Sequence, residues 1–180
     1  MLRAVAAPVA DPRMPEVAAL VADMLDTLHS VRGNGIAAPQ LGVGLRVILY
    51  AIPRGRLPEC ETFRPVPWMA LINPEIEPLT QVRVPIGLER CLSIPGLNGA
   101  VPRHDAIRVR AMTPQGETVD FVARGYHARL VQHECDHLDG ILFPMRMTDP
   151  GTLAFNDQMP QEAFRIPPQH CPPPIAGDLP

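Results

Sequence analysis

The sequence predicts an α+β fold in which antiparallel β-sheets pack around a central helix carrying an H-E-x-x-H motif, with an amphipathic helix near the N-terminus. Three patterns lead there. Val17, Leu20, Val21, Met24, Leu25 and Leu28 recur with the spacing of one buried helical stripe. Ile107, Val109 and Ala111 alternate with Arg108 and Arg110, and Val119, Phe121 and Ala123 alternate with Asp120 and Val122, the two-residue period of strands. Tyr126 to Leu138 then runs without proline or internal glycine and stops at Asp139-Gly140, as a helix does.

In chain order, the first helix is expected over Pro15 to Val31, because proline is tolerated at a first helical position and Gly33 lies just past the far end. Strands are expected at Arg46 to Ile52 and Trp68 to Asn73. Ala106 to Ala123 reads as an antiparallel hairpin turning at Thr113-Pro114-Gln115-Gly116. Beyond Pro150 the chain is too rich in proline for a packed element, so a single catalytic domain is expected over 1–149, with an extended or partly disordered tail over 150–180.

Composition bounds the function. A chain of 180 residues suits one domain with a real core, and 46% hydrophobic residues, 19% charged residues and a net charge of -3 exclude wholesale disorder and a nucleic-acid-coating surface. All 16 basic residues are arginine, which reads as compositional bias, and 4% aromatics leave little for stacking on bases, so no nucleic-acid specificity is expected. The best apolar stretch, Gly35 to Ile52, is interrupted by Pro39, Gln40 and Arg46, so no membrane span is expected. The apolar run Ala4 to Ala10 lacks a convincing cleavage site, and the four cysteines form no C-x-x-C pair. A cytoplasmic location follows as an expectation.

The chemistry concentrates in His133-Glu134-Cys135-Asp136-His137. Residues four apart on a helix stack one turn above each other, so His133 and His137 can offer ring nitrogens to one point, with Glu134 beside it. A catalytic metal site needs a third protein ligand and an open position, whereas a structural site closes all four. His127 falls on about the opposite helix face, and His29, His104 and His170 are lone histidines that read as surface or satisfied polar residues. Cys91, in Glu89-Arg90-Cys91-Leu92-Ser93 at the end of a strand-like stretch, is either a ligand or a small buried hydrophobe. Cys135 reads as packing.

Gly33-Asn34-Gly35-Ile36-Ala37-Ala38-Pro39-Gln40, Glu89-x-Cys91-Leu92-Ser93 and Gln132-His133-Glu134-x-Asp136-His137-Leu138 occur in that order, and together they resemble the peptide deformylase family. The resemblance implies one divalent metal per chain held by Cys91, His133 and His137. It implies Fe²⁺ in the cell, with Zn²⁺, Ni²⁺ or Co²⁺ compatible with the same donors in purified protein. It implies a hydrolase that removes the formyl group from the N-terminal formyl-methionine of newly synthesised polypeptides and releases formate. Water activated at the metal attacks, Glu134 is general acid/base, and Gln40 with the backbone N–H of Leu92 stabilises the oxyanion. The same resemblance assigns peptide and methionine binding to Gly33, Asn34, Gly35, Gly87, Arg90, Tyr126, Arg129 and Leu130.

Two positions depart from the family pattern. Arg90 stands where glycine is common, and an extended backbone there would tolerate arginine while adding charge at the cleft mouth. Asn34 replaces a usually aliphatic residue and brings a polar group close to the methionine pocket. The proline-rich tail differs from a helical extension that some relatives use on the ribosome, which argues against more than a transient ribosome contact. Alternative readings are a hydrolase of another N-acylated amine and a non-catalytic metal-binding homologue.

Overall fold

The structure, a computed structural model, describes residues 2–54, 64–79 and 84–159. Cys60, Cys171, His170 and the tail from 160 onward lie outside the described residues. Helix α1 spans Pro15–Val31, with proline opening its first turn as the sequence predicts. Its left-handed terminal residue is Arg32, at φ 53°, rather than the glycine that follows. The Arg32 and Gly33 N–H groups both close onto Leu28 O, which satisfies a helix-end carbonyl.

Five antiparallel strands form the larger sheet: β1 (Gly35–Ala37), β2 (Val47–Ile52), β3 (Val66–Pro78), β6 (Ala106–Met112) and β7 (Thr118–Arg124), side by side in that order. A smaller sheet holds β4 (Ile86–Cys91), β5 (Ile94–Pro102) and β8 (Ala154–Phe155). Helix α2, Gly125–Leu138, follows β7 directly.

Strand β2 explains how the layers stack. All six of its residues are buried, the continuous apolar run of a strand covered on both faces. Val47 and Leu49 pack into a cluster with Val17, Leu20, Met24 and Leu28 of α1. Ile48, Tyr50 and Ile52 point the other way and pack with Ala128, Leu130, Val131, Cys135 and Leu138 of α2. At β6 only the α2 side is covered, so Ile107, Val109 and Ala111 are buried while Arg108 and Arg110 face outward and pair with Asp120. The hairpin alternation seen in the sequence is this one-sided burial.

Strand β3 is longer than the expected Trp68 to Asn73 because it changes partner along its length. Its first half pairs with β2 and its second with β6, through an irregularity between Ile72 and Glu75. Asn73 sits there at φ 52°, and its amide ties in the N-terminal arm, accepting from Val9 N at 2.8 Å and donating to Val9 O at 2.9 Å. Proline after Asn73 ends the simple alternation, which is why the sequence pattern stopped early.

The chain also stays packed past the expected boundary at 149. Residues 150–159 form two single turns flanking β8, and β8 joins the edge of β5. Proline content misled here because Pro150 only opens a turn, where its missing N–H costs nothing. Among the described residues, no helix is long and apolar enough to cross a membrane.

His127 is a packing residue. Its ring stacks on Phe121 with centroids 5.5 Å apart, and its Nε2 lies 2.9 Å from the Tyr50 hydroxyl. Burial holds its pKa down to about 4 from 6.5. The unfolded chain therefore binds this proton near pH 6.5 and the folded chain only near pH 4, so stability falls as pH drops through that window, by up to about 3 kcal/mol. His127→Gln is expected to flatten the curve of unfolding free energy against pH between these values, measured by urea denaturation; an unchanged slope would show that His127 is not its source.

Candidate active site

Two sequence segments far apart in the chain meet where β4 ends against α2. The Sγ of Cys91 and one ring nitrogen each of His133 and His137 lie within 4.8 Å of one another, and Cys91 Sγ is 3.2 Å from His137 Nε2. The rings of His133 and His137 lie 5.1 Å apart, the separation of side chains one turn apart on α2, and stand nearly perpendicular. Glu89 Oε2 is 2.8 Å from His133 Nδ1. A carboxylate accepts, so Nδ1 carries a proton, which leaves Nε2 as the ring atom that can serve a metal once it is deprotonated.

This donor set fits a metal ion. Burial alone would raise the Cys91 thiol, but hydrogen bonds and charge from His133 and His137 outweigh it and bring the pKa to about 5, so the sulfur is a thiolate at neutral pH. Burial likewise lowers His133, and the Cys91 thiolate and Glu89 carboxylate more than reverse it. Beside the three donors, Glu134 is buried, and its Oε2 has no hydrogen-bond partner among the described residues. Such an oxygen calls for a bound group. Burial pushes the Glu134 pKa up to about 6, against the lowering pull of His133 and His137.

The glycine-rich segment supplies the facing wall. Gln40, in the 3-10 turn Ala38–Leu41, accepts the Ala37 N–H at Oε1, 2.8 Å away, which turns its Nε2 toward Ser93 Oγ at 2.9 Å and Cys91 Sγ at 3.9 Å. Leu92 lies half-exposed in the turn between β4 and β5. A Cβ on Gly35 would overlap Glu134 Oε1 and approach its Cδ to 2.9 Å. Gly33 and Gly35 are thus needed for close approach, not for left-handed backbone, since neither has a positive φ.

A cleft of about 580 Å³ opens over these groups. Gly33, Asn34, Gly35, Gln40, Arg90, Cys91, Leu92, Tyr126, Arg129, Leu130, His133 and Glu134 all line it. Gly87 does not: the Arg129 guanidinium lies over it, so that a Cβ there would meet Arg129 at 3.0 Å. Arg90 is exposed on β4 without a positive φ, the extended geometry expected for it. Asn34 Nδ2 donates to the Tyr126 hydroxyl at 3.4 Å, so the polar group noted in the sequence has a partner within the cleft wall.

Residues missed in the sequence hold this geometry. Arg103 is buried between Glu89, which it meets at 2.9 Å through both Nε and Nη2, and Asp136 at 2.6 Å. Arg129 adds a 2.8 Å bond to Glu89, and Arg146 a 2.7 Å bond to Asp136. Burial raises the Glu89 carboxyl, but Arg103 and His133 together hold it well below the usual range. Glu89 and Asp136 each stand two residues or fewer from a donor in the sequence, a usable signal; Arg103 has none.

The family profile of polypeptide deformylase matches residues 1–152 of the sequence. The chain belongs to the polypeptide deformylase family. Peptide deformylase 2 of Ralstonia nicotianae is 47% identical over 154 residues, 85% of each protein. A class I type b peptide deformylase from Acinetobacter baumannii shares the fold with a TM-score of 0.73 at 37% identity, covering 81% of this chain and 92% of that one. The same Acinetobacter enzyme in a Met-Ala-Ser-bound crystal structure gives a TM-score of 0.71 at 37% identity, over 81% and 91%. Deformylase chemistry on a peptide is therefore the activity class of this fold and family, and the candidate metal donors are the three that converge here.

Removing Arg103 takes the shared guanidinium from two buried carboxylates, leaving Glu89 with Arg129 and His133 and Asp136 with the half-exposed Arg146. Arg103→Met is expected to destabilise the fold by about 3–5 kcal/mol, read from urea unfolding at neutral pH. A loss below 1 kcal/mol (about the value of an exposed ion pair) would show that the network is not buried in solution.

Proposed function

We propose that this chain removes the formyl group from the N-terminal formyl-methionine of newly made polypeptides and releases formate. The observation that carries the reading is the unpartnered Glu134 carboxylate oxygen, buried beside a thiolate and two imidazole nitrogens. Cys91, His133 and His137 would hold one divalent ion, Fe²⁺ in the cell. Bound there, it supplies Lewis acidity and lowers the pKa of a water toward neutrality.

Glu134 takes the proton of the attacking water and delivers it to the departing amine. Burial raises the Glu134 carboxyl above its ordinary range, the direction that suits a group which must hold a proton and then return it. The Gln40 Nε2 amide, oriented by the Ala37 N–H, and the Leu92 N–H donate to the carbonyl oxygen as it becomes an oxyanion. Main-chain groups of Gly35 and Arg90 bind the peptide backbone on either side of the cleft. Tyr126, Leu130, Asn34, Gly33 and the Arg129 stem surround the methionine side chain, while Gly87 acts only by making room for Arg129.

A structural metal site needs neither an acid/base nor an oxyanion donor, so Glu134 and Gln40 favour catalysis over a purely structural role. Protein purified anaerobically is expected to contain one ion per chain by elemental analysis and to release formate from formyl-Met-Ala-Ser. Glu134→Ala is expected to keep the metal and lose turnover; equal turnover in that variant would overturn the role of Glu134. Glu89→Gln is expected to weaken metal affinity ~10–100-fold in a competitive chelator titration, because His133 loses the carboxylate that orients it.

A further inference from the structure

One wall of the cleft comes from a segment that carries no motif. Asn156 lines the cleft from the single turn Asn156–Gln158 that follows β8. Strand β8 is fixed to β5 by the register Leu97↔Phe155 and Asn98↔Ala154. Behind it Asn98, fully buried, donates from Nδ2 to Ala154 O at 3.1 Å and to Asn156 Oδ1 at 3.2 Å, and Ala100 N donates to Thr152 Oγ1.

These contacts fix which way the Asn156 amide faces. The Ala154 carbonyl can only accept, so Asn98 must present its nitrogen there, and that same nitrogen selects the oxygen of Asn156. The Asn156 Nδ2 is left with no partner among the described residues. Asn98 is also the cross-strand neighbour of Arg90, the residue directly before Cys91. Asn156 therefore stands on the wall of the smaller sheet, beside Pro95 and Gly96 in the cleft lining, and not on the α2 wall of Tyr126 and Leu130.

We propose that Asn156 is a substrate-binding residue whose Nδ2 donates to a backbone carbonyl of the peptide beyond its first residue. The inference rests on the deformylase reading of the cleft. A peptide carries such acceptors whatever its side chains, so a neutral amide donor here adds grip without imposing a sequence. The segment beyond the metal motifs is then part of the peptide site.

The test compares formyl-Met-Ala-Ser with formyl-Met-amide, which has no downstream residue, in wild type, Asn156→Asp and Asn156→Ala. Aspartate keeps an oxygen for Asn98 and removes the donor; alanine removes both. Both variants are expected to raise KM for the tripeptide roughly three- to tenfold, the worth of one neutral hydrogen bond, with kcat and the KM for formyl-Met-amide little changed. Calorimetric binding of the product Met-Ala-Ser should weaken by the same factor, a readout that needs no turnover. Unchanged tripeptide KM and product affinity in both variants would overturn the proposal. So would a rise in the alanine variant alone, because that assigns Asn156 to packing on Asn98. Wild-type protein that binds and turns over neither substrate would instead remove the deformylase reading, and this inference with it.

Discussion

The Arg103 guanidinium, buried between Glu89 and Asp136, is the contact on which the remaining geometry depends. It joins the strand that ends in Cys91 to the helix that carries both histidines. The apolar cluster of the smaller sheet is slight, with Cys91, Val101 and Phe143 at its centre. Charge pairing does there what hydrophobic area does between β2 and the two helices. Such pairing adds little net stability compared with an apolar replacement, but it is directional, and direction is what a three-donor site requires. Glu89 also reaches His133, so one carboxylate both anchors the sheet and sets the tautomer of a metal donor.

Helix α1 was legible because it buries a single stripe, α2 because it runs without proline to the stop at Asp139-Gly140, and the β6–β7 hairpin because only one of its faces is covered. Strands β1 and β5 were not. β1 is three residues long, and β5 carries Pro95, Gly96, Gly99 and Pro102, which break any alternation; it is a strand because β4 pairs along it. The convergence of Cys91 with His133 and His137 was legible through motif spacing. Arg103, Arg129 toward Glu89, and Asn156 were not, because each acts through a partner 14 or more residues away that no local pattern indicates.

Electrostatics and packing are divided between the two sides of α2. On one side Val131, Cys135 and Leu138 are sealed into the apolar cluster, and burial keeps the Cys135 thiol protonated and far above its ordinary pKa. On the other side, Cys91 is held as a thiolate by two imidazoles. Two cysteines of one chain thus take opposite chemical characters, one inert and one a soft anionic donor, through surroundings alone.

The two-sided burial of β2 leaves a question of alignment. A strand with one wet face is penalised when it slides by one residue, since its apolar set turns to water; a strand apolar on both faces lacks that safeguard. Tyr50 provides one. Its hydroxyl is the only side-chain hydrogen-bonding group on β2, and it finds His127 and Met69 only from its observed place. Shifted by a single position it would enter the α1 cluster with nothing to bond. His127, outside the metal chemistry altogether, is the address that tells the central strand where to stop.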